Sequence, residues 1–369
     1  MLSEYMSSIS PRNGECRVPN KELIHRRDSS NQRGGRLRWR RAILRDWLPE
    51  IDRREGEEGR SVKLVTYLGG LGNARAGVLL NSAQVLDLRG AAIGLGFDAP
   101  DTVLELLDMG ANGIELARTI VTRATDAKFP TLQLEDVRLM APLPRPRKVL
   151  AVAGNYVSHI EEAGQRALEK SRTTVRPFIK PSSAVIGPDA PIQFPKWSVK
   201  LDYEAELAIV IGRRASEVSR DEAKDCIAGY SVFNDISGRE LIIADGRTER
   251  NGDWFFDWLA GKWFDTFASF GPSITTADEV EDPHNLALSL SLNGERRQYA
   301  HTGQMIFNCF ELVSFFSHLT TLEPGDIIAT GTPAGVGVTT GRFLEPGDIL
   351  EASIEGLGTL RNLVAGPHR

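Results

Sequence analysis

The chain has 369 residues, 41% of them hydrophobic, enough for about two domains and a sizeable core. A net charge of −5 gives no global reason to expect nucleic acid or an anionic membrane as partner, and it points instead to small molecules. No apolar run approaches the roughly 18 residues that span a bilayer, the N-terminus lacks an apolar signal core, and Cys16, Cys226 and Cys309 are far apart, so a soluble, cytoplasmic protein with ordinary thiols is predicted.

In residues 1–60, 14 Lys and Arg stand against 10 Asp and Glu, and aliphatics are few. This predicts a mostly disordered, arginine-rich extension with a short helix over 37–48. The basic run 36–45 reads either as a solvated face or as a contact for a partner, and the acidic residues nearby count against a transit peptide. From Val62 the pattern becomes compact, with strands at 62–68, 77–80 and 85–88 and a turn at Asn81-Ser82. A helix over 102–109 takes Asp98 as its N-cap, Pro100 as its early proline and Gly110 as its closing glycine, and a second runs over 114–124. The alternating prolines of 141–147 form an extended connector. They divide a small α/β domain at 61–140 from a larger one at 146–369.

The larger domain opens with a strand at 149–152 and a short helix in which His159 and Glu162 share one face. A His held by a carboxylate suits a general base, although a surface pair has the same spacing. Gly164 and the polar stretch to Arg176 suit a lid or a plain loop. The centre of the domain is the strand 202–211, which by alternation sends Asp202, Glu204 and Glu206 to one face. Three carboxylates on a partly desolvated face repel one another unless a cation lies between them, which points to a hard divalent metal; an exposed acidic edge strand is the plainer alternative. The next strand, 227–234, ends at Asp235, a natural third ligand. Lys262 lies in a run rich in Trp and Phe, which suits either a dry anion-stabilising pocket or a dimer interface. Thr330-Gly-Thr-Pro-Ala-Gly-Val-Gly337 is a glycine-rich loop with no helix expected after it; its N–H groups suit a carboxylate or carbonyl oxygen rather than a dinucleotide.

Taken together, 146–366 resembles the fumarylacetoacetate hydrolase superfamily. The matching motifs, in order, are Gly-Asn-Tyr-x-x-His at 154, Asp-Tyr-Glu-Ala-Glu-Leu at 202, Asn-Asp-Ile-Ser-x-Arg at 234, Gly-Lys-x-x-Asp at 261, Asn-Gly-Glu at 293, Met-Ile-Phe at 305, Pro-Gly-Asp-Ile-Ile at 324 and Gly-Thr-Pro-x-Gly-Val-Gly at 331. Residues 61–140 look like the small N-terminal domain of the longer bacterial members. The resemblance implies an α+β protein, a β-rich mixed roll preceded by that small α/β domain, and a homodimer. It implies one divalent cation, usually Mg²⁺ with Mn²⁺ or Ca²⁺ as alternatives, on Glu204, Glu206 and Asp235. It makes His159 and Glu162 similar to a water-activating pair, gives Lys262 and Lys180 catalytic places, and assigns substrate contacts to Tyr156, Arg239, Gly331 and Thr332. The chain departs from the family at Glu240, where many members have aspartate, in an inserted stretch at 242–256, and at Asn155, where animal-type members carry an extra aspartate ligand. The reaction implied is hydrolytic cleavage of a carbon–carbon bond in a 2,4-dioxo acid. Decarboxylation, isomerisation or hydration of a 2-oxo acid is the alternative through a shared enolate, and a non-catalytic metal-binding dimer the remote one.

Overall fold

The computed structural model describes residues 62–70, 72–242 and 246–366. The expected extension at 1–60, its helix, Cys16 and positions 243–245 of the inserted stretch lie outside the described residues. The described part is α+β and rich in sheet. A large mixed sheet takes its strands in the order Leu132–Gln133, Gln84–Asp87, Ala74–Leu79, Lys63–Leu68, Ala268–Thr276, Ile227–Asp235, Ala205–Ile211, Ile327–Ala329, Val149–Val152, Pro177–Lys180. The main-chain ladder therefore runs across the proline-rich connector at 141–147, because Lys63 and Leu64 pair with Thr275 and Ile274. A five-stranded sheet, built around Ala287–Leu292, Ile349–Ile354 and Gly358–Ala365, packs over one part of it. Among the described residues no helix is long and apolar enough to cross a membrane.

The strand Ala205–Ile211 is buried along its whole length. Its alternation feeds two cores: Leu207, Ile209 and Ile211 pack toward the five-stranded sheet, while Ala208 and Val210 join the helices Leu88–Gly94, Val103–Asp108 and Ala111–Asp126. Burying three such aliphatics contributes roughly 5–9 kcal/mol. That is enough to offset the few kcal/mol it costs to bury a carboxyl group. The strand can thus deliver Glu206 to a position only 1% exposed.

Two expectations need correction. The run 202–211 is not one strand: Ser198–Asp202 pairs with Ser237–Leu241, whereas Ala205–Ile211 pairs with Ile227–Asp235 and Ile327–Ala329. The chain turns between them because the Asp202 carboxylate accepts the N–H of Tyr203 at 2.8 Å, an arrangement that competes with a straight ladder. The helix Val103–Asp108 is capped by Thr102, not by Asp98, through a reciprocal box with Glu105.

Candidate active site

Glu204, Glu206 and Asp235 come together where two paired strands end. The amide N–H of Asp235 donates to the Glu204 carbonyl at 2.8 Å, and the Asn234 side chain accepts the N–H of Glu204 at 2.9 Å. One carboxylate oxygen from each residue lies within 4.8 Å of the others, and all three residues are buried. Asp202 does not join them. It is fully buried elsewhere, accepting from Gly337 N–H at 2.5 Å, Val338 N–H at 3.0 Å and Arg239 Nε at 3.1 Å.

The basic residues expected at the site are bound to its carboxylates. Lys262 Nζ donates to Glu204 Oε2 at 2.7 Å and to Asp235 Oδ2 at 2.8 Å. Lys180 Nζ donates to Asp235 Oδ1 at 2.5 Å and to the carbonyls of Ile236 and Lys262. Arg239 joins Glu204 Oε1 at 2.6 Å to Asp202. Burial alone raises the Glu204 carboxyl, but the charges of Lys262 and Arg239 outweigh it and hold the group far below the usual carboxylate range. Glu206 is opposite. Burial, then the charges of Asp235 and Glu204, push it well above that range, and among the described residues it makes no ion pair. A set of buried oxygen donors with one carboxylate uncompensated fits a hard divalent cation. The Tyr156 hydroxyl, buried beside this charge and without a hydrogen-bond partner among the described residues, fits a site that takes a further polar group.

His159 and Glu162 do pair, with Nδ1 and Oε1 2.8 Å apart on the helix Val157–Glu162. This is not a free surface pair. Glu162 Oε2 accepts from Gly335 N–H and from the Thr339 hydroxyl, each at 2.8 Å. Burial raises the Glu162 carboxyl, yet its bonds to His159, Gly335 and Thr339 bring it below its ordinary value. Since a carboxylate accepts Nδ1–H, the ring's Nε2 is left free to take a proton.

The glycine-rich loop holds the protein's own carboxylates. Gly331 N–H donates to Glu206 Oε2 at 2.7 Å, Gly335 N–H to Glu162, and Gly337 N–H to Asp202. Contrary to expectation, one helical turn, Gly337–Thr340, follows it. The Thr332 hydroxyl donates to the Ala205 carbonyl and accepts from Gln298 Nε2, both at 2.9 Å. Gln298 also accepts the Ala205 N–H, so this buried residue, unnoticed in the sequence, fastens the loop to the carboxylate strand. Asn155 accepts from Phe307 N–H and donates to the Phe307 and Thr330 carbonyls, a set of bonds that an amide can make and a carboxylate cannot. Glu240 turns outward to Lys200 at 2.5 Å.

The aromatic run beside Lys262 has two faces. On the helix Asp253–Ala260, Trp258 lies 5.8 Å from Lys262 Nζ, with Phe178 at 5.3 Å, forming a cation–π wall. Trp254 and Phe256, 74% and 65% exposed, face outward.

A bovine (Bos taurus) protein named as a mitochondrial oxaloacetate tautomerase is 40% identical over 267 residues, 72% of this chain and 80% of its own. A fumarylacetoacetate hydrolase structure from the psychrophile Exiguobacterium antarcticum superposes with a TM-score of 0.68 at 32% identity, covering 83% of this chain and 100% of that one. A maleylpyruvate hydrolase from Sphingobium, solved with manganese and pyruvate, gives 0.64 at 28% over the same shares. The family pattern described as Fumarylacetoacetate (FAA) hydrolase C-terminal matches residues 148–365, the span that supplies all three clustered carboxylates and the His–Glu pair, and the chain belongs to that family.

Proposed function

We propose that this chain is a divalent-metal-dependent enzyme that moves protons on the enolisable carbon of a small 2-oxo acid, and that its reaction is keto–enol exchange of a four-carbon 2-oxo diacid. The observation that carries this is the His159–Glu162 pair at 2.8 Å, with Glu162 fixed by two further bonds so that Nε2 is presented as a base. The bovine tautomerase relative supports the choice of reaction. Glu204, Glu206 and Asp235 would hold the cation, Mg²⁺ by preference, which when bound polarises the oxygens of a 2-oxo acid. His159 Nε2 takes a proton from C3 and the ring, steadied by Glu162, returns one to the C2 oxygen. The product is an isomer, with no atom gained or lost. Lys262 and Lys180 keep the carboxylates oriented, and the Trp258 and Phe178 rings exclude water from Lys262.

A second reading is the hydrolytic cleavage expected from the sequence, with the same base acting on water; the Sphingobium hydrolase supports it. Following the enol absorbance of fresh oxaloacetate, with Mg²⁺ and with chelator, separates the two. The tautomerase reading expects decay faster than buffer, lost in chelator and roughly 10²- to 10⁴-fold slower in His159→Ala. Enol decay at the buffer rate, with an acylpyruvate split into two acids, would replace it by the hydrolase. Decay unaltered by His159→Ala would remove the base from both. We place the enzyme in the cytoplasm as a homodimer; the bovine relative's name puts that protein in the mitochondrion, and cell fractionation decides for this one.

A further inference from the structure

We propose that Thr339 is a positioning residue for the His159–Glu162 pair, and that the single turn Gly337–Thr340 which carries it sets the base against the carboxylate cluster. The proposal rests on the reading of His159 as the base. A carboxylate joined to a histidine by one bond can swing away by rotation of its side chain, and the ring proton is then no longer fixed on Nδ1, so either tautomer is presented to the substrate. Here rotation is blocked from behind, because Oε2 of Glu162 is held by Gly335 N–H and by the Thr339 hydroxyl while Oε1 meets His159. Gly335 supplies a main-chain donor that no substitution removes cleanly, because a Cβ there would come within 2.2 Å of the Arg297 carbonyl. Thr339 supplies the donor that sequence can remove. Its hydroxyl carries one proton and has two acceptors in reach, Glu162 Oε2 at 2.8 Å and the Val336 carbonyl at 2.9 Å. A bond to a charged oxygen is about twice as strong as one to a neutral oxygen, so the carboxylate takes the proton.

The same turn reaches the other half of the site. Gly337 and Val338 donate their N–H groups to Asp202, Asp202 grips Arg239, and Arg239 grips Glu204. One turn of helix thus touches the base through Thr339 and a clustered carboxylate through Asp202. Four consecutive residues set the distance between them.

Two substitutions separate a hydrogen bond from mere packing. Thr339→Val keeps the volume and loses the hydroxyl, whereas Thr339→Ser keeps the hydroxyl and loses a methyl group. Steady-state kinetics with oxaloacetate enol should show kcat falling roughly tenfold in Thr339→Val, the size of one hydrogen bond to a charged group, with KM within about twofold of the parent. Thr339→Ser should recover most of it. With ¹⁵N-labelled histidine, the His159 ring, assigned by its loss in His159→Gln, should change from one tautomer to a mixture in Thr339→Val only. An unchanged ring spectrum in Thr339→Val, or a loss in Thr339→Ser as large as in Thr339→Val, overturns the proposal. Because the spectrum needs no turnover, it reports on Thr339 even where His159→Ala proves fully active and the base reading itself has failed.

Discussion

Lys180→Met isolates the charge balance at the carboxylates. Methionine follows the lysine's shape but cannot donate, so Asp235 Oδ1 loses the ammonium now 2.5 Å away, and the Ile236 and Lys262 carbonyls lose a donor. The side chain is fully buried, so no water replaces it. Breaking a buried pair by removing one partner costs about 3–5 kcal/mol, and the lower end applies because Lys262 still meets Asp235 Oδ2. At roughly 2–4 °C per kcal/mol, Tm in EDTA should fall by about 6–12 °C. Removing a positive charge also leaves the cluster more negative. A divalent cation should therefore bind more tightly and restore more of the lost Tm than it adds to the parent. Scanning calorimetry with EDTA and with Mg²⁺ checks both parts. A variant that melts in EDTA within about 1 °C of the parent would show that Lys180 is not paired with Asp235 in solution, and the charge argument would go with it.

Glu162→Gln should destabilise the protein near neutrality and not in acid: the carboxyl is held below its ordinary 4.5, so it stabilises the fold above that pH and stops doing so as pH falls through its lowered value. The gap in Tm between variant and parent should narrow steadily as pH falls below 4.5, and a gap that persists or widens refutes this. Gly331→Ala places a Cβ 2.8 Å from that of Asn155, at a φ of +93°, which should cost about 1–3 kcal/mol and shift the N–H that holds Glu206. Weaker Mg²⁺ binding by titration calorimetry is expected, and parental affinity contradicts it. If Trp254 and Phe256 cover a second copy, the double change to Asp should yield monomers by light scattering with the enol assay retained; a dimer of parental strength places the interface elsewhere.

Much of the site was legible because it depends on short periods. Alternation placed Glu204 and Glu206 together, a strand end offered Asp235, and a separation of three brought His159 to Glu162. What escaped were bonds between distant segments. Asp202 shares the alternation and the resemblance leaves it out of the ligand set, but the N–H groups that claim its oxygens, 135 and 136 positions later, could not be read. Thr339 and Gln298 look like ordinary polar residues of a turn and an edge strand, and only their partners 177 and 93 positions away give them a role. The sequence could not say which ring of the aromatic run meets Lys262 and which meets solvent, since that is decided residue by residue around one helix.

The loop from Gly331 to Val338 has a consequence for how this protein can vary. It grips three acidic side chains with peptide N–H groups, which every amino acid except proline possesses, so the grip is not encoded by any side chain of the loop. What the gene must preserve is empty space: a Cβ at 335 would come within 2.2 Å of the Arg297 carbonyl, and one at 337 within 2.6 Å of the Arg342 carbonyl. Saturation mutagenesis should therefore show intolerance at Gly335 and Gly337 and freedom at Ala334 just before them, so that the constraint on this loop is written as missing atoms.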